Sequence, residues 1–479
     1  MFSRVGEEVA RGLTLEGRTL IGCLGPVKAM VILLLIYIYR HFLAKISFYL
    51  HFSYAIIRKM RNLPDTAKTN KQTHLEIGGC DMVSLAKEFG TPLYVLDEAT
   101  IRNRCQNYLK AFKKYHENTE VIYACKALCA TGVLKVVTAE GLGLDVASGG
   151  EIYTALRAKC NAKKLYFHGN NKSNAELKMA LEAGVGRLVV DTYQELENID
   201  EVAGKIKKTA SVIVRINPGI EAHTHEYIKT GTTASKFGVP QNEIEAVVKA
   251  AKDKKNINLA GLHAHIGSQI LDVKPFVDEV KLLLKLSKKY NTNEVCIGGG
   301  FGVPYLTSDE LPAIEDLARA ITGVLKNDRE IKLVLEPGRS IISTAGVTLY
   351  SIGVIKDIPG IRKYIFVDGG MADNPRPILY QARYDAKLAN KPDKAAAEKV
   401  TVAGRFCESG DVLIKDIKLP KVAVGDILAV MCTGAYNYSM ASNYNRVGRP
   451  AMILVNKGSA TLIVKRETYD DLIRNDVIL

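Results

Sequence analysis

The sequence predicts an α/β protein: an eight-stranded parallel (β/α)8 barrel of the TIM type, followed by a C-terminal β-rich domain, a small barrel or sandwich. Three observations predict it. Eight short β-rich runs alternate with longer runs of helical period between residues 121 and 336. Residues that carry chemistry recur at the carboxyl ends of those runs, the working face of a closed parallel barrel. After about Thr344 the helical periods give way to short strands and turns. A chain of 479 residues also exceeds one ordinary domain, so some such division is required.

In chain order, residues 1–59 form a hydrophobic, basic extension. Its apolar run at 29–39 is broken by Arg40 and His41, and the mostly apolar 42–57 holds Lys45 and His51. The unbroken run is short for a membrane span, and no small-residue cleavage site follows it. Three readings stand: a basic amphipathic segment lying on a membrane, a segment outside the working protein, which would then begin near Met60, or undirected disorder. The second is preferred, because a polar linker at 61–73 leads into regular globular sequence. The segment 60–97 holds that linker and a strand at 91–96 that joins the β domain. The barrel occupies 98–344. Its strands are expected at 121–125, 142–146, 164–168, 187–191, 211–216, 259–265, 294–297 and 332–336, with helices such as 173–182 and 273–290 between them. The β-rich domain occupies 345–479, with strands at 347–354, 364–367, 399–402, 427–431 and 452–465.

Composition narrows the partners. A chain with 47% hydrophobic and 24% charged residues is a soluble globular protein. The net charge of +14 comes from lysines scattered through amphipathic stretches, without an arginine-rich tail. Nucleic acid is therefore not expected, while phosphate- and carboxylate-bearing ligands suit the basic balance. Nine cysteines at irregular spacing, with no CxxC pair, read as reduced thiols of a cytoplasmic protein and offer no zinc site.

The strand ends carry the chemistry. Lys126 follows the first strand, where burial is expected to lower the amine pKa and free a Schiff-base nucleophile; a lysine snorkelling from a strand end is the plainer alternative. Asp145 lies near the end of strand two, Asp191 ends strand four, and Arg215 and Asn217 end strand five. On strand six, His263 and His265 face the same way. They read as a metal pair, although no third ligand has sensible spacing and no metal is expected. Alternatively His265 lies flat against an aromatic cofactor with Ser268 reaching a phosphate, or is a core histidine. Gly298, Gly299 and Gly300 follow strand seven, where a phosphate site recurs in such barrels; a tight turn explains them equally. Glu336 and Arg339 end strand eight. The carboxylate suits a pyridinium nitrogen and the guanidinium a phosphate or substrate carboxylate, or the two form a structural ion pair. In the β domain, Cys407 beside Glu408 suits a proton donor, or is a small buried thiol.

The motifs YACKAL, LDVASGGE, HEYIKTGTTASKFG, HAHIGSQ, GGGFG, EPGRS, GGMADNPRPILYQARY, CESGD and GAYNYSM stand in this order from Asp65 onward. Together they resemble the alanine-racemase-fold (fold-type III) pyridoxal-phosphate decarboxylases, most closely the diaminopimelate decarboxylase family. HEYIKTG…SKFG and DNPRPILY favour that branch over ornithine and arginine decarboxylases, and NKQTHLEIGGCD looks like the family's beginning, which favours a start near Met60. Leu128, where such proteins often carry asparagine, and the extension depart from the pattern. The resemblance implies pyridoxal 5'-phosphate bound through Lys126, with Asp145 also at the cofactor and His265 stacked on the ring. Ser268, Gly298–Gly300 and Arg339 would surround the phosphate, and Glu336 would pair with the ring nitrogen. Arg339, Arg376 and Tyr380 would grip the substrate's far carboxylate and Glu408 its far amine. Tyr436 would touch cofactor and substrate, and Cys407, supplied by the second subunit of a homodimer with shared sites, would donate a proton. The implied reaction is decarboxylation of meso-2,6-diaminopimelate to L-lysine, the last step of lysine biosynthesis. Another basic amino-acid decarboxylase and a non-catalytic cofactor-binding homologue are the alternatives. Membrane contact is expected only if the extension is genuine.

Overall fold

The computed structural model describes residues 61–220, 235–477 and 479. The extension and the HEYIKTGTTA part of its motif, 225–234, lie outside the described residues. The described chain opens with a three-stranded antiparallel sheet, β1 (Lys68–Thr69), β2 (Leu75–Ile77) and β3 (Cys80–Asp81). The expected linker at 61–73 is packed instead. Leu63 and Ala67 are buried, and the Asn62 amide donates to the Tyr305 carbonyl at 3.2 Å and the Asp385 carboxylate at 3.0 Å. Asn62 has protein partners rather than water, which composition does not distinguish, while Lys71, Gln72 and Thr73 stay exposed.

β4 (Leu93–Asp97) is wholly buried. Its last residue, Asp97, caps the helix Glu98–Tyr115 by accepting from Thr100 N, and this helix carries the chain into the barrel. All eight expected barrel strands are present: β5 (Thr119–Ala124), β6 (Gly143–Val146), β7 (Leu165–Phe167), β8 (Arg187–Val190), β9 (Ala210–Arg215), β10 (Ile257–His263), β11 (Glu294–Cys296) and β12 (Lys332–Leu335). They pair in parallel in chain order, and β12 closes onto β5. Ile122, Tyr166, Val189, Ile213, Cys296 and Val334 form one interior cluster. Beneath it, at the strands' amino ends, Glu294 pairs with Arg187 at 2.9 Å and Lys332 at 3.5 Å. The floor is therefore filled, and the carboxyl ends form the open face. Ser148, Ser173 and Thr192 cap the helices after β6, β7 and β8, so those strand-to-helix turns are short and fixed.

Two expected strands differ in extent or form, and the strands Ala386–Leu388 and Val412–Leu419 were not expected. β10 ends at His263 rather than 265. Ala264 N still bonds Cys296 O at 2.9 Å, but the chain then turns through Gly267 at φ 133°. The strand expected at 452–465 is a hairpin. The β-rich part comprises β13 (Gly346–Ile358), β14 (Arg362–Val367), β15 (Ala386–Leu388), β16 (Glu398–Ala403), β17 (Val412–Leu419), β18 (Ile427–Val430), β19 (Ala451–Asn456) and β20 (Ser459–Val464). The last two turn at Lys457 and Gly458, at φ 49° and 82°. The sheet runs β17-β16-β14-β13-β4-β19-β20, with β18 on β13 and β15 on β18. β4 thus lies between β13, antiparallel, and β19, parallel. No described helix is long and apolar enough to cross a membrane.

Candidate active site

Lys126 sits in the single 3-10 turn Cys125–Ala127 that follows β5. The turn is pinned by the Tyr123 hydroxyl, which donates to Leu128 O at 3.0 Å, and by Tyr436 N, which donates to Ala127 O at 2.9 Å. Cys125 and Ala127 are buried while the lysine side chain keeps accessible surface among the strand ends. Its pKa is raised, contrary to the sequence expectation. Desolvation disfavours the ammonium, but Asp145, then Tyr436 and Glu336, outweigh it. The nucleophile is not freed by burial alone, because carboxylates come with it.

Glu336, the first residue past β12, is buried. Its Oε1 is 2.8 Å from His168 Nε2 and its Oε2 is 3.1 Å from His263 Nε2. Desolvation favours the protonated acid, yet the two imidazoles hold the carboxyl well below its usual range. His168 also lies 3.7 Å from Asp145. The sequence reading missed His168, although its place directly after β7 obeys the strand-end rule that found the others. The His263–His265 pair, weighed as metal ligands with no metal expected, is not formed as such. His263 converges with His168 and Glu336 instead, their donor atoms all within 4.8 Å. A third potential ligand therefore exists, but both imidazoles face the carboxylate.

His265, just beyond β10, lies against the glycine turn: a Cβ on Gly298 would meet its Nδ1 at 2.6 Å. Burial, then Lys126 and Arg215, hold this imidazole well below its usual pKa, so it is neutral. A Cβ on Gly299 would meet Glu336 O at 2.2 Å, and one on Gly300, at φ 96°, would meet Gly267 O at 2.2 Å. The turn admits only glycine at these positions. Ser268 accepts from Arg339 Nη2 at 2.9 Å and Nε at 3.3 Å. Arg339 lies 4.6 Å from the Tyr436 ring, and Tyr436 itself adopts φ 59°. Arg215 is buried 3.9 Å from Asp191 and 4.5 Å from the Phe237 ring.

Arg376 and Tyr380 begin and end the short helix Arg376–Tyr380. Arg376 is buried and donates to the Tyr384 hydroxyl at 2.6 Å, which donates to Asn437 Oδ1 at 3.3 Å. The Tyr305 ring lies 4.7 Å from Arg376 and 5.8 Å from Arg339, and its hydroxyl accepts from Arg339 Nη1 at 2.6 Å. Among the described residues neither guanidinium has a carboxylate within 4.0 Å, and both are buried. Two buried cations with phenol and hydroxyl partners make a site for anions. Tyr384 and Asn437 lie inside the motifs GGMADNPRPILYQARY and GAYNYSM without having been singled out, and Tyr305, from the loop after β11, lies in none of the motifs.

Cys407 and Glu408 stand exposed on the loop between β16 and β17. Cys407 N donates to Asn445 Oδ1 at 3.1 Å, and Gly410 N to Glu408 Oε1 at 3.4 Å. The described contacts of this one chain do not bring them to Lys126. The loop is nonetheless fixed, because the Asp411 carboxylate accepts from Met371 N at 2.7 Å and Phe406 N at 2.8 Å.

The family described as pyridoxal-dependent decarboxylase, pyridoxal binding domain, matches residues 98–343. The diaminopimelate decarboxylase of Synechocystis is 47% identical over 87% of this chain and 93% of its own, and that of Bacillus subtilis 45% over 87% and 98%. The crystal structure of diaminopimelate decarboxylase from M. jannaschii in complex with L-lysine superposes with a TM-score of 0.82 at 38% identity, covering 87% of this chain and 98% of that one. The chain belongs to the diaminopimelate decarboxylase family. Membership makes the chain a decarboxylase and implies a pyridoxal cofactor. The residues fit such a group. A diaminopimelate decarboxylase needs an amine, a carboxylate for a ring nitrogen and a cradle for phosphate, and the strand ends supply Lys126, Glu336, and the glycine turn with Ser268 and Arg339.

Proposed function

We infer that this enzyme removes carbon dioxide from meso-2,6-diaminopimelate and releases L-lysine, the last step of lysine biosynthesis. The observation that carries the reading is the pair of buried guanidiniums, Arg339 and Arg376, with no carboxylate partner among the described residues. Such a pair recognises a second acidic group on the substrate, which ornithine and lysine lack. Pyridoxal 5'-phosphate supplies the aromatic system that accepts the electron pair left by the departing carboxylate. Lys126 holds the cofactor covalently and Asp145 faces that lysine. Glu336 pairs with the ring nitrogen, and His265 presents a neutral face to the ring. Ser268, Gly298, Gly299, Gly300 and Arg339 hold the phosphate. Arg376, with Arg339 and Tyr380, grips the far carboxylate, and Tyr436 borders both ligands. Glu408 takes the far amine, and Cys407 delivers a proton, each across the interface of a homodimer. Their exposure in the single chain suits that arrangement. The barrel, 98–344, forms the cofactor domain, and 345–479 with the strand-bearing 60–97 forms the β domain. Cysteines without paired spacing suit the cytoplasm.

Purified protein supplied with pyridoxal phosphate is expected to form lysine from meso-diaminopimelate while leaving ornithine and arginine unchanged. Equal turnover of ornithine would overturn the assignment of the guanidinium pair.

A further inference from the structure

Two histidines flank Glu336 on opposite oxygens of its carboxylate. Both rings are buried, His168 from the end of β7 and His263 from the last position of β10, and they pack edge to face with centroids 4.9 Å apart. Each places Nε2 on a different oxygen of one carboxylate, at 2.8 and 3.1 Å. An ionised carboxylate only accepts, so both imidazoles carry their proton on Nε2 and donate it. His263 Nδ1 is buried without a partner, which fits a neutral ring, and burial lowers the His263 pKa to about 4. Each Glu336 oxygen keeps a further lone pair for another donor. The other titratable groups around Glu336 are Lys126, Asp145, Arg215, His265, Glu279 and Cys296. Of these, Asp145 and Glu279 disfavour its charge, and burial does so as well.

A carboxylate paired with a protonated ring nitrogen shares one proton with it. If the carboxylate is the stronger base, the proton leaves the ring, and the ring ceases to attract electrons strongly. We propose that His168 and His263 are positioning residues that clamp Glu336 by one N–H on each oxygen, lowering its basicity and fixing its plane so that the cofactor's ring nitrogen keeps the proton. The clamp rests on the reading of this mouth as a pyridoxal-phosphate site. Each lost donor is expected to make Glu336 more basic by a factor of about ten to a hundred.

The test uses the full chain loaded with cofactor labelled with nitrogen-15 in the ring. Wild type, His168→Phe, His263→Phe, the double Phe variant and His168→Gln are compared. Borohydride reduction and peptide mass first locate the cofactor, and the nitrogen resonance then reports the proton. The ring nitrogen is expected to be protonated in wild type and in His168→Gln, whose amide still donates. It should be partly deprotonated in the single Phe variants and largely so in the double, with kcat falling and KM for diaminopimelate nearly unchanged. A double variant that carries cofactor on Lys126 and keeps the ring fully protonated overturns the clamp. If the double variant does not fold, His168→Phe alone decides by the same resonance. Wild type that traps no cofactor on Lys126 overturns the underlying site assignment instead.

Discussion

Asp373 anchors the segment that leads to Arg376. It accepts from the Tyr350 hydroxyl and from Gly370 N at 2.9 Å, and burial, partly offset by these bonds, raises its pKa to about 7. An unfolded aspartate titrates near about 3.9. Between those values the folded chain binds a proton that the unfolded chain has lost. The stability this gives is fully present below about pH 4 and disappears as pH rises through about 7. Asp373→Asn removes that titration, so the Tm of the variant minus that of wild type should rise with pH across the window. Thermal unfolding followed from about pH 4 to 8 checks it, and a flat difference would remove Asp373 as the source. Arg376 acts on the ligand instead. Arg376→Ala should lower kcat/KM for diaminopimelate by an amount equivalent to about 2–5 kcal/mol, the usual result of truncating one partner of a buried charge pair. Steady-state kinetics on folded, cofactor-loaded variant measures this, and an unchanged kcat/KM would show that Arg376 does not hold substrate.

At the scale of elements, the turn after β11 does two jobs. A Cβ on Gly299 would come within 2.2 Å of Glu336 O, and one on Gly300 within 2.2 Å of Gly267 O, so only glycine lets the backbone approach so closely there. It therefore packs the ends of β10, β11 and β12 together, and it is the proposed phosphate cradle. Gly300→Ala would add a clash to a positive φ, and overpacking of this kind costs about 1–3 kcal/mol. A lower Tm and weakened cofactor affinity are expected together, measured by thermal unfolding and equilibrium dialysis. Gly323 is the control. It ends the helix Ile314–Gly323 with nothing within 4 Å of a Cβ, so Gly323→Ala should be neutral or gain up to about 1 kcal/mol with cofactor binding intact. Equal damage from both substitutions would deny the turn its special geometry.

Across the whole molecule, the proposed site is divided between chains. Lys126→Ala and Cys407→Ala homodimers should each be nearly inactive. After subunit exchange, a heterodimer of closed two-fold symmetry has one site with both residues intact and one with neither. Random mixing should therefore restore about a quarter of wild-type activity. Activity that stays at the level of the parents, with heterodimers verified by mass, would place both residues in one chain's site. Every candidate site residue of the full sequence follows Met60, so a chain beginning there should load cofactor and turn over at an undiminished rate; loss of either would make the extension an integral part.

The sequence by itself determined the barrel. Its strands are buried on both faces and its helices on one, so the two periods alternate visibly, and Lys126, His265, Glu336 and Arg339 were legible because strand carboxyl ends define a single face. Motif resemblance supplied Arg376, Tyr380, Cys407 and Glu408, which no periodicity marks. Tertiary structure alone decided what those residues touch. It set His263 against Glu336 rather than beside His265, because β10 ends two residues early. It brought in His168, Tyr305, Tyr384 and Asn437, and it raised rather than lowered the Lys126 pKa. Strand pattern is a property of neighbours along the chain. The charge and hydrogen-bond partners of a buried group are set by residues as far apart as 168 and 336, brought together only when the barrel closes.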